Sequence, residues 1–193
     1  MKILIINGSP RKGGNSDCIA QHIISKFPEI TFEEWKLRET NISCCIACER
    51  CGKKDNEYIC SQKDTFTEKL KWIADFDAFL FITPVYQGGV TAQTKIWMDR
   101  CEAFRLGRKL KDKICGGIVV AGFPGGGQEL ALMQIQYFAH ITAMRYVPSL
   151  GNTRSHFGGY CIAGERKEVL SDIDGLKSCE NVVSNIVDLY HKK

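Results

Sequence analysis

Residues 2–16 read KILIINGSPRKGGNS. The first six form a short, nearly unbroken apolar run, the mark of a strand buried on both faces. The glycine- and serine-rich residues after it form a turn, and a helix should start near Ser16, because Ile19, Ile23 and Phe27 recur four residues apart on one face. The same unit repeats along the chain. Thr31–Lys36 reads as a second, weaker strand interrupted by Glu33 and Glu34, residues 78–83 and Ile114–Ala121 as buried strands, and 146–149 as a short fifth strand. Helices are expected around 66–74, 91–103 and 128–143. The last helix carries Cys179, Val182, Val183, Ile186, Val187 and Tyr190 on one face. Loop residues dominate 151–164. Strands alternating with helices predict an α/β protein, a doubly wound five-stranded parallel sheet with helices on both faces.

Length and composition narrow the function. At 193 residues the chain, 1–193, reads as one domain. With 44% hydrophobic and 25% charged residues, disorder and coiled coils are excluded. No apolar run approaches the roughly 20 residues of a membrane span, and no secretory signal is visible, so a cytoplasmic protein is expected. The net charge of +4 comes from interspersed basic residues, not a stripe, so nucleic acid is not an expected partner while an anionic small molecule fits. Ten cysteines in a cytoplasmic chain point to metal or redox chemistry rather than disulfides.

In such sheets ligands bind beyond the carboxyl ends of the strands. Three glycine-rich loops leave those ends. The first, residues 8–16, combines backbone freedom with the Ser9 and Ser16 hydroxyls, the Asn15 amide and the Arg11 guanidinium, at a helix N-terminus that attracts anions. It is neither a G-x-x-x-x-G-K-[ST] loop nor a G-x-G-x-x-G fingerprint, so it points to neither a nucleotide triphosphate nor a dinucleotide; a phosphate is favoured over an ordinary strand-to-helix turn capped by Ser16 or Asn15. The second, TPVYQGGV at 83–90, sets an aromatic ring beside backbone amides. The third, 122–127, has four glycines in six residues and permits close approach to a planar ligand.

GSPRKGGNS after the first strand, TPVYQGGVTAQTKIWMDR after the third and GGGQE after the fourth resemble the flavodoxin-like NAD(P)H-dependent FMN reductase family, over about residues 1–144. The resemblance implies a flavodoxin-like fold with FMN as cofactor. It implies that Ser9, Arg11, Asn15 and Ser16 hold the phosphate. It places Pro84, Val85, Tyr86 and Gly88 at the isoalloxazine ring, with Gly122, Gly125 and Gly126 closing over it.

Five of the cysteines, Cys44, Cys45, Cys48, Cys51 and Cys60, lie within 17 residues. Cys45, Cys48 and Cys51 fall at i, i+3 and i+6. Overlapping C-x2-C-x2-C is characteristic of [4Fe–4S] ligation, in which each iron corner takes one thiolate. Tetrahedral zinc more often uses two separated C-x2-C pairs. Zinc and redox-active thiols stay open as alternatives. A compact cysteine motif between the second and third strands, followed by a short acidic segment (62–64 here), resembles the iron–sulfur flavoproteins. The gap from Cys51 to Cys60 is longer than in that pattern and Cys44 is a spare thiol; Cys60 is the preferred fourth ligand.

What the resemblance implies is an electron-transfer oxidoreductase carrying FMN and one [4Fe–4S] cluster. Electrons would enter from a ferredoxin-like donor at the cluster and leave through FMN to dioxygen, hydrogen peroxide or a quinone. The chemistry belongs to FMN, so no catalytic side chain is expected. The cysteine-rich insertion, about 38–64, has little core of its own and should pack on a neighbouring subunit, giving a homodimer or homotetramer. Two other readings remain: an NAD(P)H-dependent FMN or quinone reductase with zinc or no metal at the cysteines, and a redox-sensing binding module. The scattered Cys18, Cys101, Cys115, Cys161 and Cys179 are expected in the core, Trp97 and Phe104 as core or dimer contacts, and the four histidines show no ligand spacing.

Overall fold

The computed structural model describes residues 1–53, 59–150 and 154–192; residues 54–58 of the cysteine-rich segment and 151–153 of the expected loop lie outside them. Strands β1 (Lys2–Asn7), β2 (Thr31–Lys36), β3 (Ala78–Pro84), β4 (Ile114–Ala121), β5 (Arg145–Val147) and β6 (Gly159–Ile162) form one sheet in the order β2-β1-β3-β4-β5, with β6 also on β4. Every pairing is parallel. The central strands are buried almost end to end, as their apolar runs require, while β2 lies at an edge and exposes Thr31 and Glu33.

Successive side chains on a strand point to opposite faces, so each apolar strand feeds two cores. Ile3 and Ile5 of β1 join Leu80, Ile82 and Ile118 under α1 (Asn15–Lys26) and α6 (Ile173–His191). Leu4 and Ile6 join Phe79, Phe81 and Val119 on the other face, covered by α2 (Thr65–Glu68), α3 (Leu70–Ala74), α4 (Ala92–Arg100) and α5 (Gln128–Ile141). Trp97 of α4 is fully buried there, edge-on to Phe81, Phe66 and Phe138. All five scattered cysteines are buried, and so is Phe104.

The structure departs from the sequence reading in three places. The stretch expected to be loop contains β6, which makes a sixth strand. β4 has eight residues but β5 pairs only with Ile114–Gly116, and β6 completes the edge by pairing with Ile118–Ala121. The expected helix at 66–74 is broken at Lys69 into α2 and α3. The helix expected over 91–103 is α-helical only to Arg100, and continues as a 3-10 turn over Cys101–Phe104. That break lets the chain turn at the end of α4, where the cysteine segment packs.

Candidate functional site

The loop between β1 and α1 leaves polar groups open at a helix start. Gly14 caps α1 without a side chain, so no side-chain hydrogen bond reaches the first-turn N–H groups, of which Asp17 N–H bonds the Gly14 carbonyl at 3.1 Å. The Ser16 hydroxyl is buried there and finds no hydrogen-bond partner among the described residues. A buried donor without a partner beside an uncapped helix start fits an absent phosphate. Ser9 is buried, its hydroxyl accepting from the Arg11 N–H at 3.2 Å, and Arg11 is exposed at the loop's rim. The Asn15 side chain turns elsewhere: its amide donates to the Glu165 carbonyl at 2.8 Å and its oxygen accepts from the Val169 N–H at 3.4 Å.

Beneath the loop lies a charge that would repel an anion if left alone. Asp17 accepts from Gly13 N–H and Asn7 Nδ2, each at 2.7 Å. Arg38 grips the same carboxylate through both guanidinium nitrogens, at 3.0 and 2.9 Å, with both side chains about nine-tenths buried. A bidentate pair of this kind cancels the Asp17 charge and fixes the loop from below.

The second loop is tied to the first. The Thr91 hydroxyl donates to the Gly8 carbonyl at 2.7 Å and accepts from the Thr94 N–H, which caps α4. A Cβ at Gly8 would lie 1.9 Å from Thr94 Oγ1, so only glycine lets these loops meet. Residues 86–89 form a tight turn closed by paired Tyr86 and Gly89 backbone hydrogen bonds, with positive φ at Gln87 and Gly88, the type I′ signature. Tyr86 stands half-exposed at its edge. In the third loop a Cβ on Gly127 (φ 99°) would come within 2.7 Å of Gly88 Cα. The ring-side loops therefore touch backbone to backbone. Gln128 donates to the Phe123 carbonyl at 2.7 Å, while its buried Oε1 has no partner among the described residues.

α4 starts at these loops and ends at a second site. Cys45, Cys48, Cys51 and Cys60 all line one pocket of about 700 Å³, together with Ser61, Asp99, Arg100, Glu102 and Arg105. Cys44 does not line it; its carbonyl accepts from Gln62 instead. Positive φ at Ala47 and Glu49 coils the backbone between the cysteines, a conformation that gathers N–H groups around an anionic centre. The Ser61 hydroxyl, 2.8 Å from Cys48 Sγ, and the Arg50 N–H hold the Cys48 thiol below its ordinary pKa, whereas burial, with Glu102 adding, pushes Cys51 up. Four thiols on one pocket are the donor set of an iron–sulfur cluster, so the residues fit the group. Among the described residues no group of three or more His, Cys, Asp or Glu side chains is gathered closely enough to hold a metal ion.

One residue at this pocket was invisible to the sequence reading. Arg100 is almost fully buried and donates to Asp64 at 2.5 and 3.0 Å, to the Ser43 carbonyl at 2.8 Å, to Thr67 at 2.9 Å and to Cys60 Sγ at 3.3 Å. Asp64, expected in a short acidic segment, is buried, and it also caps α2. Burial would raise its carboxyl, but hydrogen bonds from Arg100 and the Ser43 and Thr67 N–H groups outweigh that and hold it at about 2.

A parallel sheet in this order, with helices on both faces and glycine-rich loops after β1, β3 and β4, is a flavodoxin-like fold. Residues 1–156 match the NADPH-dependent FMN reductase family. An iron–sulfur flavoprotein of Methanocaldococcus jannaschii is 32% identical over the whole length of both chains, and one of Methanosarcina thermophila is 35% identical over 82% of this chain and 81% of its own. In fold the chain is similar to the WrbA-like flavodoxin of Agrobacterium tumefaciens (TM-score 0.64, 16% identity, 100% and 98% coverage). The Trp repressor binding protein of Bacillus subtilis is similar too (TM-score 0.63, 20% identity, 94% and 97% coverage). The chain belongs to the NADPH-dependent FMN reductase family and, within it, to the iron–sulfur flavoproteins. It is a flavin-dependent oxidoreductase, and FMN is the flavin the family supports. Among the described residues no helix is long and apolar enough to cross a membrane.

Proposed function

We propose that the chain is an electron-transfer flavoprotein with FMN at the three loops and one [4Fe–4S] cluster on Cys45, Cys48, Cys51 and Cys60. The observation that carries this reading is that those four thiols, and not Cys44, share one pocket at the far end of the helix that leaves the flavin loops. Nine residues at about 1.5 Å each make α4 roughly 13 Å long. Bound together, the groups would supply one-electron and two-electron redox chemistry, taking electrons from a ferredoxin-like donor to an acceptor such as dioxygen, hydrogen peroxide or a quinone.

The chain's own residues bind and orient. Ser9, Arg11, Ser16 and the backbone at Asn15 would hold the phosphate, with the Asn15 side chain fixing the 163–169 segment against the loop. Pro84, Val85, Tyr86 and Gly88 would line the ring, and Gly122, Gly125 and Gly126 would close on it. The chain would act as one domain with the insertion at about 38–64, in the cytoplasm and without nucleic acid. Leu130, Tyr137 and Ile141 make an exposed apolar stripe on α5, which supports a homodimer or homotetramer.

Oxygen-free purification with iron, sulfide and flavin analysis tests this. About four irons, four sulfides and one FMN per chain are expected, with a visible shoulder that dithionite bleaches. Flavin without iron would instead support an NAD(P)H-dependent FMN or quinone reductase.

A further inference from the structure

We infer that Arg100 is a positioning residue for the cluster site: its buried guanidinium holds Cys60 and biases the cluster toward its reduced state. This rests on the iron–sulfur reading above. Other charged groups line the pocket, but Arg105 and Glu102 pair with each other in solvent, where water screens them. Arg100 is different. Its side chain is 1% exposed, and it packs over the Phe66 ring with its centre 5.0 Å away.

The fork is held rigidly. Both terminal nitrogens bond Asp64, Nη1 is further fixed by the Ser43 carbonyl, and Nη2 also meets Thr67 and Cys60 Sγ. Ser43 and Asp64 flank the cysteine segment on both sides in sequence, so one side chain of α4 draws both ends of that segment together. A role confined to packing would need only Asp64. It would not need an N–H delivered to a sulfur at the pocket wall.

The sign of the effect follows from charge. A thiolate-ligated cluster is anionic, and one-electron reduction adds a further negative charge. Hydrogen bonds to the sulfurs and nearby charge set the potential. A guanidinium cannot give up its proton in a protein, so although Asp64 balances its charge, Arg100 keeps an N–H aimed at Cys60 Sγ at every working pH. It therefore stabilises the reduced form more than the oxidised one and raises the midpoint potential.

The test is a dithionite titration with redox mediators, followed by electron paramagnetic resonance, on protein loaded with cluster. Arg100→Gln should lower the ratio of reduced to oxidised cluster at a fixed potential at least tenfold, a shift of about 59 mV for a one-electron couple. Arg100→Lys, which keeps the charge, should recover part of it. Because Arg100→Gln leaves Asp64 buried without its partner, the change is repeated in an Asp64→Asn background, where a fall at least as large relative to Asp64→Asn alone is expected, since Arg100 is unbalanced there. Loaded variants with an unchanged potential, or an iron-free variant that Arg100→Lys does not rescue, would overturn the inference. Wild-type chain that takes up no iron and sulfide would instead sink the cluster reading on which it stands.

Discussion

The hydroxyl of Thr91 donates to the carbonyl of Gly8 at 2.7 Å, across 83 residues of sequence. That bond joins the loop that should hold the phosphate to the loop that should hold the ring, and the same oxygen caps α4 by accepting from Thr94. Thr91→Val keeps the shape and deletes the bonds, leaving a buried carbonyl unpaired. Chemical denaturation of the flavin-free protein should show a loss of about 1–3 kcal/mol, with weaker flavin binding. Thr91→Ser should restore most of both. Full stability in the valine variant would mean that the loops are held together by something else.

Ser16 carries a prediction with opposite signs in two states. Its buried hydroxyl lacks a partner among the described residues, a cost that a bound phosphate would remove. Ser16→Ala should therefore stabilise the flavin-free protein by about 1 kcal/mol while weakening FMN binding. Arg11→Ala, at an exposed position, should leave the flavin-free stability nearly unchanged and cost FMN binding about 1.5–3 kcal/mol, the worth of a charged hydrogen bond. Isothermal titration beside thermal melts separates these. A Ser16→Ala protein that binds FMN like wild type would remove the hydroxyl from the site.

Arg38 neutralises Asp17 directly under the phosphate loop. Arg38→Met leaves that carboxylate uncompensated where an anion must bind. FMN affinity should fall at least tenfold, about 1.4 kcal/mol, and the loss should shrink as salt screens the repulsion. Riboflavin has the ring but no phosphate, so its binding should change much less. Flavin fluorescence titrations with both ligands decide it, since an equal loss for the two would point to general collapse of the loop.

How far this was legible depended on whether the signal was local. KILIIN is apolar enough to read as a doubly buried strand, and the cysteine rhythm needs no partner to be seen. β6, with the sequence GYCI, is four residues long, begins on glycine and pairs with only half of β4, so no period could show it. Arg100 sits in the polar-looking run MDRCE and reads as an exposed helical charge. Its burial is decided by Asp64, 36 residues away, and by the aromatic packing around Trp97 and Phe66. Asn15 was legible as a loop residue. That its amide serves the 163–169 segment depended on where β6 returns.

The Asp64 carboxyl gives a pH dependence. Its folded value of about 2 lies below the ordinary 3.8, so its ionised form stabilises the fold. That contribution is complete above about pH 4 and is lost as pH falls through 2, while Arg100 stays charged throughout. It amounts to roughly 2–3 kcal/mol. Urea unfolding of wild type and Asp64→Asn between pH 7 and pH 2 should show the wild-type advantage shrinking over that acid window. An advantage that stays constant with pH would mean that Asp64 acts through packing rather than charge.

Substitutions at the two candidate fourth cysteines discriminate directly. Cys60 lines the pocket with Cys45, Cys48 and Cys51 and receives the Arg100 N–H, whereas Cys44 is exposed, does not line it and contributes its carbonyl to Gln62. Cys60→Ser should cut iron sharply while FMN stays bound, because the flavin loops share no residue with the pocket. Cys48→Ala should do the same. Cys44→Ser should retain the full complement of both. Iron lost on Cys44→Ser but kept on Cys60→Ser would reverse the assignment, and FMN lost together with iron would show that α4 couples the two sites more tightly than its separate ends imply.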